Sequence, residues 1–216
     1  MARENFDKEL NEMKSKVLSM GGAVEEAINN SIKALKNQDK ELAEKVIAKD
    51  DIIDDLELEI EEICMQIIAK HQPMANDLRR IGTALKIITD LERIGDYATS
   101  ICRKTLYMLE EPFIKPLIDL PRMAELTRQM VEKALNAYVN EDAKTAYEIP
   151  KDDDTIDSLH HQILSELITY MISDPKTIKQ ATQLLFISQA LERIGDHSTN
   201  LAEWIIFMVT GEREKF

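Results

Sequence analysis

Apolar residues near the start of the chain fall at alternating steps of four and three: Phe6, Leu10, Met13, Val17, Met20 and Val24, then Ile28, Ile32 and Leu35. Such steps keep side chains on one stripe of a helix, so the pattern predicts one long amphipathic helix. Gly21-Gly22 marks a candidate bend, although the stripe runs through it. Asn37-Gln38-Asp39 predicts a turn, with Asp39 capping the next helix. That second helix places Leu42, Val46, Ile53, Leu56, Ile60, Ile63 and Ile67 on its apolar stripe. Beside the stripe runs a row of acids, Asp50, Asp54, Glu57 and Glu61, at steps of four, three and four. Gln72-Pro73 ends the helix, because the residue before a proline leaves the α region.

The third helix, from about Met74 to Glu111, carries the most informative pattern. Leu78, Ile81, Leu85 and Ile88 form a stripe, and Glu92, Asp96 and Thr99 continue it where apolar residues are expected. A second arc, Ile87, Leu91, Ile94, Ala98 and Ile101, supplies the core on the other side. Gly95 inside the helix costs about 1 kcal/mol relative to Ala and points to a close approach beside the acids.

The plan then repeats. Leu91 to Asp96 reads L-E-R-I-G-D, and Leu191 to Asp196 reads the same, at a spacing of 191 − 91 = 100 residues. Asp154-x-Ile156-Asp157-x-Leu159 matches Asp51-x-Ile53-Asp54-x-Leu56, and Asn140-Glu141-Asp142 matches Asn37-Gln38-Asp39, both at an offset of 103. The fourth helix is expected over Leu117 to Tyr138, the fifth up to Asp174-Pro175 with a break or kink at Pro150, and the sixth from Lys176 to Thr210. The drop from 103 to 100 falls in or near the second interhelix loop, where a duplicated helical unit tolerates length change. The expected fold is all-α: six helices in two tandem, pseudo-symmetric, antiparallel three-helix bundles, residues 1–112 and 113–216.

Composition narrows the class. The 216 residues are 44% hydrophobic and 31% charged, with few aromatics, as in a globular helical protein. A formal net charge of −13 argues against general binding to nucleic acid or an anionic bilayer, and suits cations or basic partners. Cys64 and Cys102 lie in helical apolar patterns and are expected as buried free thiols in a reducing compartment. The stretch Met1 to Met20 is charged throughout, unlike a signal peptide, and the apolar run Trp204 to Val209 is far short of a membrane span. That run is expected in the core rather than at a contact, and the protein in the cytoplasm.

Each E-x-x-x-D places two carboxylates one above the other on a helix face. A solvated face with Arg93 and Arg193 as ion-pair partners is the plain alternative. Three features favour a metal site: the motif recurs, it lies on an apolar stripe, and an acidic helix precedes it in each half. Clustered carboxylates near a core repel one another, and all-oxygen ligands suit hard cations. The first half offers Asp50, Asp54, Glu57, Asp77, Glu92 and Asp96. The second offers Asp153, Asp157, His160, His161, Glu192, Asp196 and Glu203. With histidine present, the second set also suits Fe, Zn or Mn as well as Mg. His197 follows Asp196 directly and points off the acid face. The Glu-x-x-His pattern of ferritin-like di-iron bundles is missing from both motifs. So is any Gly-rich phosphate loop, nucleophile constellation or H-E-x-x-H helix. Binding therefore outranks catalysis, with a metal-dependent phosphohydrolase as the alternative.

D-L-R-R-I at Asp77 to Ile81, L-E-R-I-G-D-Y-A-T-S-I at Leu91 to Ile101, and L-E-R-I-G-D-H-S-T-N-L-A-E at Leu191 to Glu203 resemble the PhoU family across essentially the whole chain. The resemblance implies two three-helix bundles and a cytoplasmic negative regulator of the phosphate-starvation response. It implies an adaptor linking the Pst phosphate ABC transporter, through its ATPase subunit, to the sensor histidine kinase PhoR. It also implies metal, multinuclear iron included, on the motifs that here are Glu92/Asp96 and Glu192/Asp196, a homodimer, and membrane association only through partners.

Overall fold

The computed structural model describes residues 2–216. Met1, part of the charged N-terminal stretch, lies outside them. The described chain is helical, with no strands: α1 (Ala2–Asn37), α2 (Lys40–Ala48), α3 (Asp50–His71), α4 (Asn76–Leu106), α5 (Asp119–Asn140), α6 (Ala143–Ala146), α7 (Ile149–Ser173) and α8 (Ile178–Thr210). Six long helices make two three-helix bundles, α1/α3/α4 and α5/α7/α8, as the periodicity requires. Helices α2 and α6 are short pieces at the start of each bundle's second helix. Lys49 separates α2 from α3, and Tyr147-Glu148 separates α6 from α7. Pro150 does not kink a helix. It sits in the first turn of α7, where its missing N–H would have no intrahelical partner.

The turns repeat with the helices. Asp39 accepts from the Leu42 amide at 3.0 Å, and Asp142 from the Thr145 amide at 3.2 Å. The residue before each cap is left-handed, Gln38 at φ 50° and Glu141 at φ 52°. α1 runs through Gly21-Gly22 without a break. Gly21 is needed for packing: a Cβ there would run into the Leu135 side chain of α5.

The apolar stripes of both bundles meet in one core containing Met13, Met20, Ile60, Ile94, Tyr138, Ile194 and Ile205. Its centre is the four helices α1, α4, α5 and α8, with α3 and α7 packed outside. α4 and α8 run antiparallel, since Lys86 Nζ lies 5.7 Å from the Trp204 ring and Lys104 Nζ 5.4 Å from the Phe186 ring. These two contacts are one contact seen twice, because 86 + 100 = 186 and 104 + 100 = 204. The halves thus face each other across a pseudo-two-fold axis.

Cys64 and Cys102 are buried free thiols, both pushed up to about 12 by burial. In the run Trp204 to Val209, Ile205, Ile206 and Met208 are core. Trp204 and Phe207 are half-buried under Arg213. Among the described residues no helix is long and apolar enough to cross a membrane.

Candidate metal centre

Each bundle brings the acid row of its second long helix against the acid pair of its third. In the first, Asp50, Asp54 and Glu57 of α3 face Glu92 and Asp96 of α4. Thr99 beside Asp50 and Thr89 beside Glu57 offset part of the burial of these carboxyls. Burial holds Asp50, Asp54, Glu57 and Glu92 above the usual carboxylate range, and neighbouring carboxylates add to each shift. For Asp54 and Glu92 the strongest of those neighbours is Asp96. Arg93 answers part of the charge, reaching Glu92 at 3.4 Å and Asp96 at 3.2 Å.

In the second bundle Asp153 and Asp157 of α7 face Glu192 and Asp196 of α8. Asp153 accepts from Thr199 Oγ1 at 3.3 Å, the counterpart of Asp50 and Thr99. Burial, then Asp157 and Asp196, push Asp153 up to about 6. Burial and then Asp196 raise Glu192. Arg193 spans the pair as Arg93 does, at 3.4 Å from Glu192 and 2.8 Å from Asp196. The motif glycine admits this packing. A Cβ on Gly195 would fall onto Asp153 Oδ1, and one on Gly95 would come within 2.9 Å of Ile53 Cδ1 and 3.8 Å of Asp50 Oδ1.

The second set shows two marks of a cation site. Asp153 Oδ1 is buried without a hydrogen bond among the described residues, and Glu192 Oε2 is buried with only the Arg193 Nε ion pair at 3.4 Å. Buried charged oxygens that lack a donor are costly, and a cation is what an acceptor-only cluster calls for. The donors are carboxylate and hydroxyl oxygens, which fit a hard ion. Among the described residues no three His, Cys, Asp or Glu side chains already close around one point as a ligand set. Arg93 and Arg193 each reach both carboxylates of their motif.

Comparison with known proteins agrees with this doubled arrangement. A family model, the PhoU domain, matches residues 17–105 and 120–205. The chain belongs to the PhoU family. It is 41% identical over 214 residues to a phosphate-specific transport system accessory protein PhoU homolog of Clostridium acetobutylicum, covering 99% of this chain and 98% of that one. A homolog with the same description from Aquifex aeolicus is 43% identical, covering 95% and 93%. Among solved structures, PhoU from Pseudomonas aeruginosa superposes with a TM-score of 0.92 at 38% identity, covering 96% of this chain and all of that one. The PhoU of Streptococcus pneumoniae gives 0.91 at 31% identity, covering 98% and 100%.

Within this family fold the site residues expected from sequence divide. Asp54, Glu57, Glu92 and Asp96 come together, as do Asp157, Glu192 and Asp196. Asp77 does not join them; it stands at the start of α4, paired with Arg3 at 2.8 Å and Arg80 at 3.3 Å. Glu203 lies one helical step beyond Thr199, on a groove of about 780 Å³ that also holds Asp153, Asp157 and Asp196, and its Oε1 accepts from the Phe216 amide at 3.0 Å. The two histidines separate. His161 is exposed, with Nδ1 on the Asp157 carbonyl at 2.8 Å. His160 is half-buried, 3.0 Å from Ser188 Oγ, and stands where the first half has Glu57, since 57 + 103 = 160. Burial pushes His160 down, favouring the neutral imidazole that binds metals. The repeat offset would have singled out His160 from sequence, as it pairs Asp153 with Asp50. His197 points off the acid face, as expected, and bonds Asp90 of α4 at 2.8 Å.

Proposed function

We propose that this protein is a negative regulator of the phosphate-starvation response and a modulator of phosphate uptake. It acts as a metal-binding adaptor between the Pst phosphate ABC transporter, through its ATPase subunit, and a PhoR-type sensor histidine kinase. The family and the relatives' description as phosphate-specific transport system accessory proteins support the regulatory role. The observation that carries the metal-binding part is the pair of acid clusters, one of which leaves Asp153 Oδ1 buried without a donor and Glu192 Oε2 buried with only an ion pair to Arg193 at 3.4 Å.

In this reading Asp54, Glu57, Glu92 and Asp96 hold one ion or group of ions, with Asp50 beside them. Asp157, Glu192 and Asp196, with Asp153 and His160 beside them, hold the other. Fe, Mn, Mg or Zn suits these donors, and more than one ion fits five or more ligands per cluster. A bound cation neutralises the clustered charge that otherwise strains the α3/α4 and α7/α8 contacts. It stabilises the native bundles by mass action, so metal state becomes helix-packing state. We assign it a regulatory and not a catalytic role, in line with the relatives' description as accessory proteins. It works in the cytoplasm as a homodimer, reaching the membrane only through the transporter.

The test is a strain lacking its own copy, complemented with wild type or with Glu192→Gln plus Asp196→Asn. In high phosphate the wild type keeps phosphate-starvation genes silent, and the variant derepresses them while remaining folded and abundant. Full repression by a metal-free variant would sink the metal-dependent part of the proposal.

A further inference from the structure

The α4/α8 interface is built from contacts that occur twice, so a place where they differ is informative. On one side of the pseudo-two-fold axis, Asp90 sits between the helices. Its Oδ1 accepts from His197 Nδ1 at 2.8 Å and from Asn200 Nδ2 at 3.3 Å. The counterparts on the other side are Ala190, Tyr97 and Ser100, each 100 residues away. Ala190 brings no carboxylate. In its place is an open cleft of about 310 Å³, lined by Tyr97, Ser100, Lys104, Phe186, Gln189 and Arg193.

The lining is unusual for a chain of net charge −13. It holds two cations and three neutral donors, and no carboxylate. Tyr97, Ser100 and Gln189 make no side-chain hydrogen bond to another described residue, and Lys104 has only the Phe186 ring as a partner. Arg193 is held in place by Asp196 on its other side. Donors lining an open cleft that has no acid of its own, with an acid at the pseudo-equivalent place, describe a site for an anion.

We propose that this cleft binds a small tetrahedral oxyanion, which takes the place that the Asp90 carboxylate fills on the other side. Lys104 and Arg193 supply the charge, and Tyr97, Ser100 and Gln189 donate hydrogen bonds. At about 30 Å³ per water the cleft has room for the anion and several bridging waters. The inference stands on the cleft's own residues and needs no bound metal.

The experiment is calorimetric titration of chelator-treated, full-length protein with inorganic phosphate, and separately with a phosphoserine peptide. The expected result is saturable binding of inorganic phosphate that weakens tenfold or more in Lys104→Gln. Ala190→Asp, which restores an internal carboxylate, is expected to abolish it. Lys86→Gln, outside the cleft, is expected to leave it unchanged. Should Ala190→Asp fail to fold, Lys104→Gln, a change on the surface, decides alone. No saturable binding of inorganic phosphate, binding of the phosphopeptide only, or binding indifferent to Lys104→Gln would overturn the proposal.

Discussion

The two acid clusters share a scaffold yet differ in depth. Around Glu92 and Asp96, Asp50 lies 3.8 Å from where a Gly95 Cβ would be. Around Glu192 and Asp196, Asp153 lies directly against Gly195, its carboxyl is pushed up to about 6, and one oxygen has no donor. Glu57 in the first cluster is His160 in the second. The duplicated helices fix where the carboxylates point. The packing of the preceding helix sets how strongly each cluster needs a cation. The second cluster is therefore expected to bind tighter and to accept softer metals than the first.

The largest effect should come from removing the paired ligands. Glu192→Gln plus Asp196→Asn is expected to lower metal affinity at the second cluster by about a hundredfold or more, as loss of first-sphere carboxylates exceeds the 10–100-fold typical of outer partners. Glu92→Gln plus Asp96→Asn should leave that ion in place. Competition against a chromogenic chelator reads both, and equal effects of the two pairs would erase the proposed difference.

Gly195→Ala is expected next. The new methyl displaces Asp153, so metal affinity falls, while helix propensity returns about 1 kcal/mol and the fold survives. Gly95→Ala meets the movable end of Ile53 and should affect metal much less. Paired melting curves and chelator titrations of the two variants give the contrast.

Asp153 also gives the comparison a pH dependence. Its ordinary value is 3.8 and its value in the folded chain about 6. Between these the native state holds more protons than the unfolded one, so metal-free stability falls as pH rises through this window. The deficit is complete above about 6. Asp153→Asn should therefore raise the melting temperature of chelator-treated protein near neutral pH by a few degrees, at about 2–4 °C per kcal/mol for this size. The gain should vanish towards pH 4. Metal uptake by the second cluster should strengthen through the same window, because the ion displaces that proton. The smallest effect is expected from Arg193→Gln. Its pair with Asp196 is exposed and contributes less than about 1 kcal/mol, its longer pair ends on the buried Glu192 Oε2 that the ion would take over, and calorimetry should show metal affinity slightly increased.

The fold was legible in the sequence because helix periodicity and an exact repeat are both local signals. The stripe from Phe6 to Leu35, the cap at Asp39 and the offset of 103 needed no knowledge of packing. The acid pairs were legible for the same reason: Glu92 and Asp96 interrupt an apolar stripe on one helix. What escaped was set by contacts between helices. Asp77 has the right chemistry, but Arg3 and Arg80 claim it at the start of α4. His160 and His161 are neighbours in sequence; the offset of 103 sets His160 against Glu57, and the approach of Ser188 on α8 shows it turned inward. The break expected at Pro150 falls just before it, at Tyr147-Glu148, but the first half pauses likewise at Lys49 with no proline, so the break belongs to the repeat and is no departure from it. The cleft at Tyr97 and Lys104 gave no sequence signal, because its meaning lies in the absence of an acid at Ala190.

Metal on the repeated acids is what would couple the two bundles to regulation. The most direct measurement is elemental analysis of protein purified without chelator or affinity metal, beside the variant carrying Glu92→Gln, Asp96→Asn, Glu192→Gln and Asp196→Asn. Stoichiometric metal in the wild type and its loss from the folded variant is the predicted result. No metal in either after reconstitution, or equal metal in both, would contradict it and leave the acids as a polar surface.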